Sequence, residues 1–151
     1  MAYVKHTAIH TTPKEHLRYI LNPDKNEEMK YVTGICCGDD LETAYDNFKE
    51  IFEKYNNEEF EKCSSSKNSG KRHIRIHSYT QSFDSSVSPE EAHRIGVEWA
   101  KKVFGVNRPI IVSTHVNTDH VHNHIAVCPY DLDGIRWHSN YTNIYINLNS
   151  N

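Results

Sequence analysis

The apolar positions of the chain predict two long amphipathic helices. The first begins after Asp39 or Asp40, runs to about Tyr55, and carries apolar residues at helical spacing: Leu41, Ala44, Tyr45, Phe48, Ile51, Phe52 and Tyr55. The second opens with a capping box, Ser88-Pro-Glu-Glu91, and ends at Phe104 before Gly105. Its apolar stripe comprises Ala92, Ile95, Gly96, Trp99 and Val103. Each helix therefore has one face to pack on a core.

A shorter helix is predicted near the N-terminus. Thr12-Pro-Lys-Glu15 has the pattern of a capping box with proline at the first helical position. The helix must end near Asn22, because the residue before Pro23 is pushed out of the helical region.

Alternating or continuous apolar runs predict five strands between these helices. They cover Met1 to His10, Tyr31 to Cys36, Arg72 to Phe83, Arg108 to His115, and His120 to Pro129. The last two are joined by the short segment 116–119, which predicts a tight antiparallel hairpin. The polar stretch from Asn56 to Lys71 is interpreted as a loop within one domain. We expect an α+β fold, with helices packed on a central, mainly antiparallel sheet of about five strands.

Composition narrows the class of protein. The chain has 151 residues, which fits a single domain over residues 1–151. It contains no apolar run long enough to span a membrane and no signal peptide, so we expect a cytosolic protein. A net charge of -3 argues against a nucleic-acid-binding protein, although basic residues cluster around Lys71, Arg72 and Arg75. Eleven histidines are unusual, and four of them lie between positions 115 and 124.

These four histidines predict a metal site. With a four-residue loop, His115 lies opposite His120, and alternation places His122 and His124 on the same face of the hairpin. Imidazoles that point inward from neighbouring strands can meet at one ion. Three protein ligands would leave coordination positions open, as a catalytic metal requires. Asp119 or Asn117 could orient a ligand imidazole by a hydrogen bond to the ring nitrogen that does not face the metal.

A tyrosine near the N-terminus is a candidate nucleophile. On the first helix Leu17, Ile20 and Leu21 share one face, and Tyr19 points roughly away from them. Its hydroxyl should therefore be accessible, which is also true of many exposed tyrosines without a catalytic role. A phenol becomes a feasible nucleophile toward a phosphodiester when a metal polarises that group.

Together these residues resemble the relaxase (mobilisation nuclease) family, the MobA-like branch of the HUH endonucleases. The resemblance is carried by the histidine hairpin, by Glu15 to Lys25, by Gln81 to Gly96, and by Trp137 to Asn140. It implies that His115, His122 and His124 are the metal ligands, that His120 is outside the triad, and that Tyr19 is catalytic. Asn123 stands where the family has a hydrophobic residue. Family members are normally longer, so we expect an excised or truncated catalytic domain.

The resemblance implies strand- and site-specific cleavage of single-stranded DNA at a transfer origin, with Tyr19 linked to the 5′ phosphate. The expected cofactor is a divalent metal ion, Mn²⁺ or Mg²⁺ in function, with Zn²⁺ or Ni²⁺ in a purified sample. No small-molecule cofactor is expected. The expected partners are the DNA, accessory relaxosome proteins and a coupling protein, in the bacterial cytoplasm.

Several side chains are candidates for DNA contact. Trp137, Tyr79 and Tyr130 could stack on bases, although aromatic residues at such positions are more often packing residues. Lys71, Arg72 and Arg75 could contact phosphates, and Gln81 belongs to the region that lies near the bound strand in the family.

Two other functions fit parts of the pattern. A rolling-circle replication initiator or a transposase of the HUH type shares the metal hairpin but usually carries its tyrosine after it, where Tyr141 and Tyr145 lie. A metal-binding protein without nuclease activity, such as a metallohydrolase or metal carrier, would fit the acidic balance better.

Overall fold

A computed structural model describes residues 3–27, 29–61, 73–117 and 119–138. The elements, in chain order, are β1 (Tyr3–Ile9), α1 (Pro13–Ile20), β2 (Val32–Ile35), α2 (Leu41–Asn56), β3 (Ile76–Ser82), α3 (Pro89–Phe104), β4 (Ile110–His115) and β5 (His122–Val127). The strands form one sheet in the order β1-β3-β5-β4-β2, and every neighbouring pair is antiparallel. The predicted α+β fold with five strands is confirmed.

The sheet has helices on both faces, and this explains the apolar character of its central strands. One face packs against α1 and α2, with Ile111 and Ala126 in that core. The other face packs against α3, with Val112 and Ile125 in the second core. Successive side chains of a strand point to opposite faces, so strands covered on both sides read as continuous apolar runs.

All three helices begin at the predicted positions, but only the two long ones have the predicted side-chain cap. The Asp40 side chain accepts from the Thr43 backbone N–H at 2.7 Å, and the Ser88 hydroxyl accepts from that of Glu91 at 3.2 Å. The predicted capping box at Thr12 is wrong, because Thr12 adopts a left-handed conformation and its side chain makes no capping bond. Glu61, from beyond the end of α2, accepts from the Lys14 N–H at 3.1 Å instead. A tertiary contact therefore satisfies a donor that the helix start leaves open.

The β4–β5 hairpin has a longer loop than predicted. His115 pairs with His122 rather than with His120, so the loop occupies the six positions 116–121. Both ends of this loop bond to other segments: Val116 N–H donates to the Lys25 carbonyl at 2.7 Å, and Phe83 N–H donates to the Val121 carbonyl at 3.2 Å. A shift of two residues keeps every side chain on its face. The histidines therefore still lie together.

Among the described residues, no helix is both long and apolar enough to cross a membrane.

Candidate active site

Three histidines converge where β4 ends and β5 begins. One ring nitrogen from each of His115, His122 and His124 lies within 4.8 Å of the others, so the three side chains could hold a metal ion. The cross-strand pair His115 and His122 has ring centroids 5.2 Å apart, and those of His115 and His124 are 4.3 Å apart. The predicted grouping of these three side chains is confirmed, whereas their role as ligands stays a prediction.

The two more deeply buried rings are held in the neutral form. Burial lowers the pKa of His115 to about 4, with a further lowering from the charges of His122 and Lys25. Burial also lowers the pKa of His124 to about 3, and neighbouring histidines and Lys25 lower it further. A neutral imidazole has a lone pair, which a metal ion requires of a histidine ligand.

Backbone carbonyls set the tautomers of two of the rings. Nε2 of His115 donates to the Ile20 carbonyl at 3.0 Å, which leaves the lone pair on Nδ1. Nδ1 of His122 donates to the His120 carbonyl at 3.2 Å, which leaves the lone pair on Nε2. The backbone carbonyl of His120 thus orients the His122 ring, while the His120 side chain is exposed. Asp119 is also exposed in the loop, and its orienting role stays a prediction.

The third ring shows that the site fits a cation. Nε2 of His124 is buried and has no hydrogen-bond partner among the described residues. An unsatisfied buried polar atom costs free energy, and an ion between the three rings would satisfy it. Three nitrogen donors without a thiolate match a site with open coordination positions better than a closed structural zinc site.

Tyr19 lies beside this cluster. Its side chain is 48% exposed, as predicted, and its ring centroid is 5.7 Å from that of His115 and 5.5 Å from that of His124. Leu17 and Ile20 are fully buried on the opposite side of α1. The amphipathic helix therefore presents the tyrosine to the histidines from its solvent-facing side.

Sequence reasoning missed two residues that complete this geometry. Ser113, fully buried on β4, donates to the Ile20 carbonyl at 2.6 Å. Nζ of Lys25 lies 5.2 Å from the centroid of the Tyr19 ring. Alternation along β4 predicts that Ser113 shares a face with His115, but it does not predict the bond from Ser113 to α1. Only the path of the chain after α1 shows that Lys25 returns to the site.

Burial contradicts the predicted DNA contacts of Arg75, Gln81 and Tyr79. Arg75 is 3% exposed, and its guanidinium donates to the Phe60 carbonyl at 3.0 Å and pairs with the Glu58 carboxylate at 3.3 Å. Gln81 and Tyr79 are fully buried. These three predictions are wrong, because a side chain without exposed surface cannot reach a DNA strand.

The remaining DNA candidates stay predictions. The half-buried Trp137 donates from Nε1 to the Tyr79 hydroxyl at 2.9 Å, and the Tyr130 hydroxyl accepts from the Asn56 amide at 2.8 Å. Lys71 and Arg72 lie outside the described residues.

Comparison with known proteins gives the family. The chain matches the family described as "Relaxase: MobA/VirD2-like, nuclease domain" over residues 19–150. One relative, Protein rlx of Staphylococcus aureus, is 39% identical over 69 residues, which are 44% of this chain and 22% of the relative. A second Protein rlx of the same organism is 43% identical over 58 residues, 38% of this chain and 17% of the relative.

A third relative matches a longer part of the chain. The group II intron-interrupted relaxase LtrB of Lactococcus lactis subsp. cremoris (strain MG1363) is 26% identical over 147 residues, 79% of this chain and 24% of the relative. The chain thus spans less than a quarter of the length of each of these three relatives. Since the family match covers most of its residues, the protein belongs to the MobA/VirD2-like relaxase nuclease family.

Proposed function

We propose that the chain is a metal-dependent nicking domain that cleaves one strand of DNA at a transfer origin through a covalent bond to Tyr19. The observation that carries this proposal is the position of the exposed Tyr19 ring, less than 6 Å from two of three converging imidazoles. A nucleophile beside a cation site is the arrangement that phosphodiester transesterification needs.

In the proposed reaction, the Tyr19 oxygen forms a bond to phosphorus while the bond between phosphorus and the 3′ oxygen breaks. The phenolic proton passes to solvent, and the departing 3′ oxygen takes up a proton to become a hydroxyl. A divalent ion held by His115, His122 and His124 would polarise the phosphate and stabilise the charge that develops on its oxygens. The product remains a phosphodiester, so the reverse reaction rejoins the strand without ATP.

The native ion is proposed to be Mn²⁺ or Mg²⁺. Three imidazoles are softer ligands than Mg²⁺ prefers, which favours Mn²⁺, and Zn²⁺ or Ni²⁺ could occupy the site in a purified sample. The proposed setting is conjugative transfer or mobilisation in the bacterial cytoplasm, together with accessory relaxosome proteins and a coupling protein.

A labelled single-stranded oligonucleotide assay tests the reaction. The protein is incubated with candidate transfer origins in Mn²⁺ or in EDTA, and a covalent protein–DNA adduct is sought on a denaturing gel. We expect an adduct in Mn²⁺ that is lost in EDTA and in Tyr19→Phe. It should persist in Tyr141→Phe and Tyr145→Phe, whose positions lie outside the described residues.

The same assay separates the alternatives. An adduct that survives Tyr19→Phe and disappears in Tyr141→Phe or Tyr145→Phe would assign the chain to the replication-initiator or transposase type. Tight metal binding without an adduct at any origin would support a metal-binding protein without nuclease activity.

Metal binding is tested separately by titration calorimetry with Mn²⁺. His124→Ala should weaken the affinity by about 100-fold or more, since even partners outside the coordination sphere contribute about 10–100-fold. His120→Ala is the matched control, because it removes a neighbouring imidazole but keeps the backbone carbonyl that orients His122. Equal affinities for the two variants would contradict the assignment of the triad.

A further inference from the structure

Lys25, in the connection between α1 and β2, lies next to the candidate active site. Nζ of Lys25 lies 5.2 Å from the centroid of the Tyr19 ring, and the Lys25 charge acts on both His115 and His124. The lysine is half-buried. A cation is therefore placed beside the nucleophile and the metal triad at once.

The backbone around Lys25 is fixed independently of its side chain. The Lys25 carbonyl accepts from the Val116 N–H, one residue after His115, at 2.7 Å. The next residue, Asn26, is fully buried and donates from its amide to the Ser113 hydroxyl at 3.3 Å. These bonds attach the segment between α1 and β2 to the end of β4. A substitution of the Lys25 side chain alone should therefore leave the backbone of this segment in place.

The charge of Lys25 has no counter-ion among the described residues, in contrast to a lysine nearby. Lys30 also lies over a tyrosine, 5.3 Å from the centroid of the Tyr31 ring, but it pairs with the Glu27 carboxylate at 3.9 Å. Stacking on an aromatic ring is thus common to both lysines. Lys14 and Lys54 also lie over tyrosine rings without an ion pair among the described residues, so the location of Lys25 beside Tyr19 and the three histidines is what distinguishes it. A half-buried cation at that location is suited to bind an anion from outside the chain.

We propose that Lys25 binds a non-bridging oxygen of the phosphate that Tyr19 attacks, and so acts as a catalytic residue of the nicking reaction. This inference rests on the proposed function. The phosphate is already negatively charged before attack, and the ammonium can donate a charge-assisted hydrogen bond to it. Negative charge on the equatorial oxygens also persists in the transition state, where a preplaced cation lowers the barrier.

The test compares wild type, Lys25→Met, Lys25→Arg and Lys30→Met on an oligonucleotide with which the wild type forms the adduct. We expect Lys25→Met to slow adduct formation about 100-fold, the size typical of losing one charge-stabilising donor. Lys25→Arg, which keeps the charge, should recover most of the rate, and Lys30→Met should match the wild type. Mn²⁺ affinity should be unchanged or higher in Lys25→Met, because a positive charge beside the triad is removed.

Binding to a neutral linkage tests the contact itself. In the Tyr19→Phe background, which cannot form the adduct, DNA affinity is measured with a phosphate or a methylphosphonate at the scissile position. Adding Lys25→Met should weaken binding of the phosphate oligonucleotide about tenfold and leave binding of the methylphosphonate unchanged.

Three results would overturn the inference about Lys25 and leave the proposed function intact. They are a wild-type rate for Lys25→Met, an equal loss of affinity for both linkages, or a parallel loss of Mn²⁺ binding. The last two would assign Lys25 a structural or general electrostatic role. If the wild type forms no adduct with any origin, the proposed function fails, and the inference fails with it.

Discussion

Two hydrogen bonds converge on the carbonyl oxygen of Ile20, the last residue of α1. One comes from the Ser113 hydroxyl at 2.6 Å and the other from Nε2 of His115 at 3.0 Å. The last carbonyls of a helix have no partner within the helix, so they are available to side chains of other elements. The two bonds join the end of α1, next to Tyr19, to Ser113 and His115 of β4, and so hold Tyr19 beside the three histidines.

Ser113→Ala should weaken this junction. The substitution removes the donor to Ile20 and the acceptor of the Asn26 amide inside the protein, and we expect the free energy of unfolding to fall by about 1–3 kcal/mol. Urea unfolding monitored by fluorescence measures the change. Ser82→Ala, at an exposed position of β3, should alter stability by less than about 0.5 kcal/mol. Equal midpoints for the two variants would show that Ser113 does not hold α1.

At the scale of elements, α3 supports the β4–β5 hairpin, which carries the three histidines, from the other face of the sheet. Asn123 lies between His122 and His124 in sequence and points away from them. Its amide donates to the Ala92 carbonyl at 2.8 Å and to Gln81 Oε1 at 2.9 Å, and its oxygen accepts from the Thr114 hydroxyl at 2.5 Å. This buried polar network joins α3 to three strands, which explains why a polar residue is tolerated at position 123.

Gly96→Ala should disturb that network. A Cβ at Gly96 would collide with the Asn123 amide and come within 3.2 Å of Gln81 Oε1. Alanine gains about 1 kcal/mol of helix propensity, whereas overpacking a core costs about 1–3 kcal/mol, so we expect a net loss of stability. Because Asn123 separates two triad histidines, Mn²⁺ affinity should fall as well. Thermal unfolding and calorimetry measure both effects.

The control for this helix substitution is Lys101→Ala, at an exposed position of α3. It should change neither the unfolding temperature by more than a degree or two nor the Mn²⁺ affinity. Wild-type metal affinity in Gly96→Ala would mean that the hairpin holds its shape without α3.

Elements were predictable from sequence because their signals are local. Periodicity placed all five strands and three helices, and it placed Tyr19 on the exposed side of α1. The cap at Thr12, the hairpin register and the burial of Arg75 were not predictable, because distant partners determine them: Glu61, the Lys25 carbonyl and Glu58. The grouping of the triad survived the wrong register only because the error was two residues, which leaves each side chain on its face.

At the scale of the whole molecule, buried neutral histidines on both faces of the sheet make stability depend on pH. His77 lies on the face opposite the triad and is 2% exposed. Its pKa is lowered to about 3, first by burial and then by the charges of His6, Arg108, Arg136 and His138. Nδ1 of His77 is also 3.0 Å from Nε2 of His6. Protonation of this ring therefore opposes the folded state.

The sign of the effect follows from linkage. In the unfolded chain the pKa of a histidine is near 6.5, so below that pH the unfolded state binds a proton that the folded state excludes. The stability contributed by neutral His77 is complete above pH 6.5. It is lost as the pH falls from 6.5 toward 3, at about 1.4 kcal/mol per pH unit for one proton.

His77→Gln should flatten this dependence. Urea unfolding of the metal-free protein at pH 7.5 and 5.5 gives the stability lost on acidification, and the variant should lose about 1.4 kcal/mol less than the wild type. Lys101→Gln, at an exposed position of α3 that does not titrate between these pH values, should keep the wild-type loss. The comparison uses differences between two pH values, so it holds even if the variant is less stable at both. An unchanged loss in His77→Gln would place the acid sensitivity in other groups and would mean that His77 is protonated equally in the folded and unfolded chain.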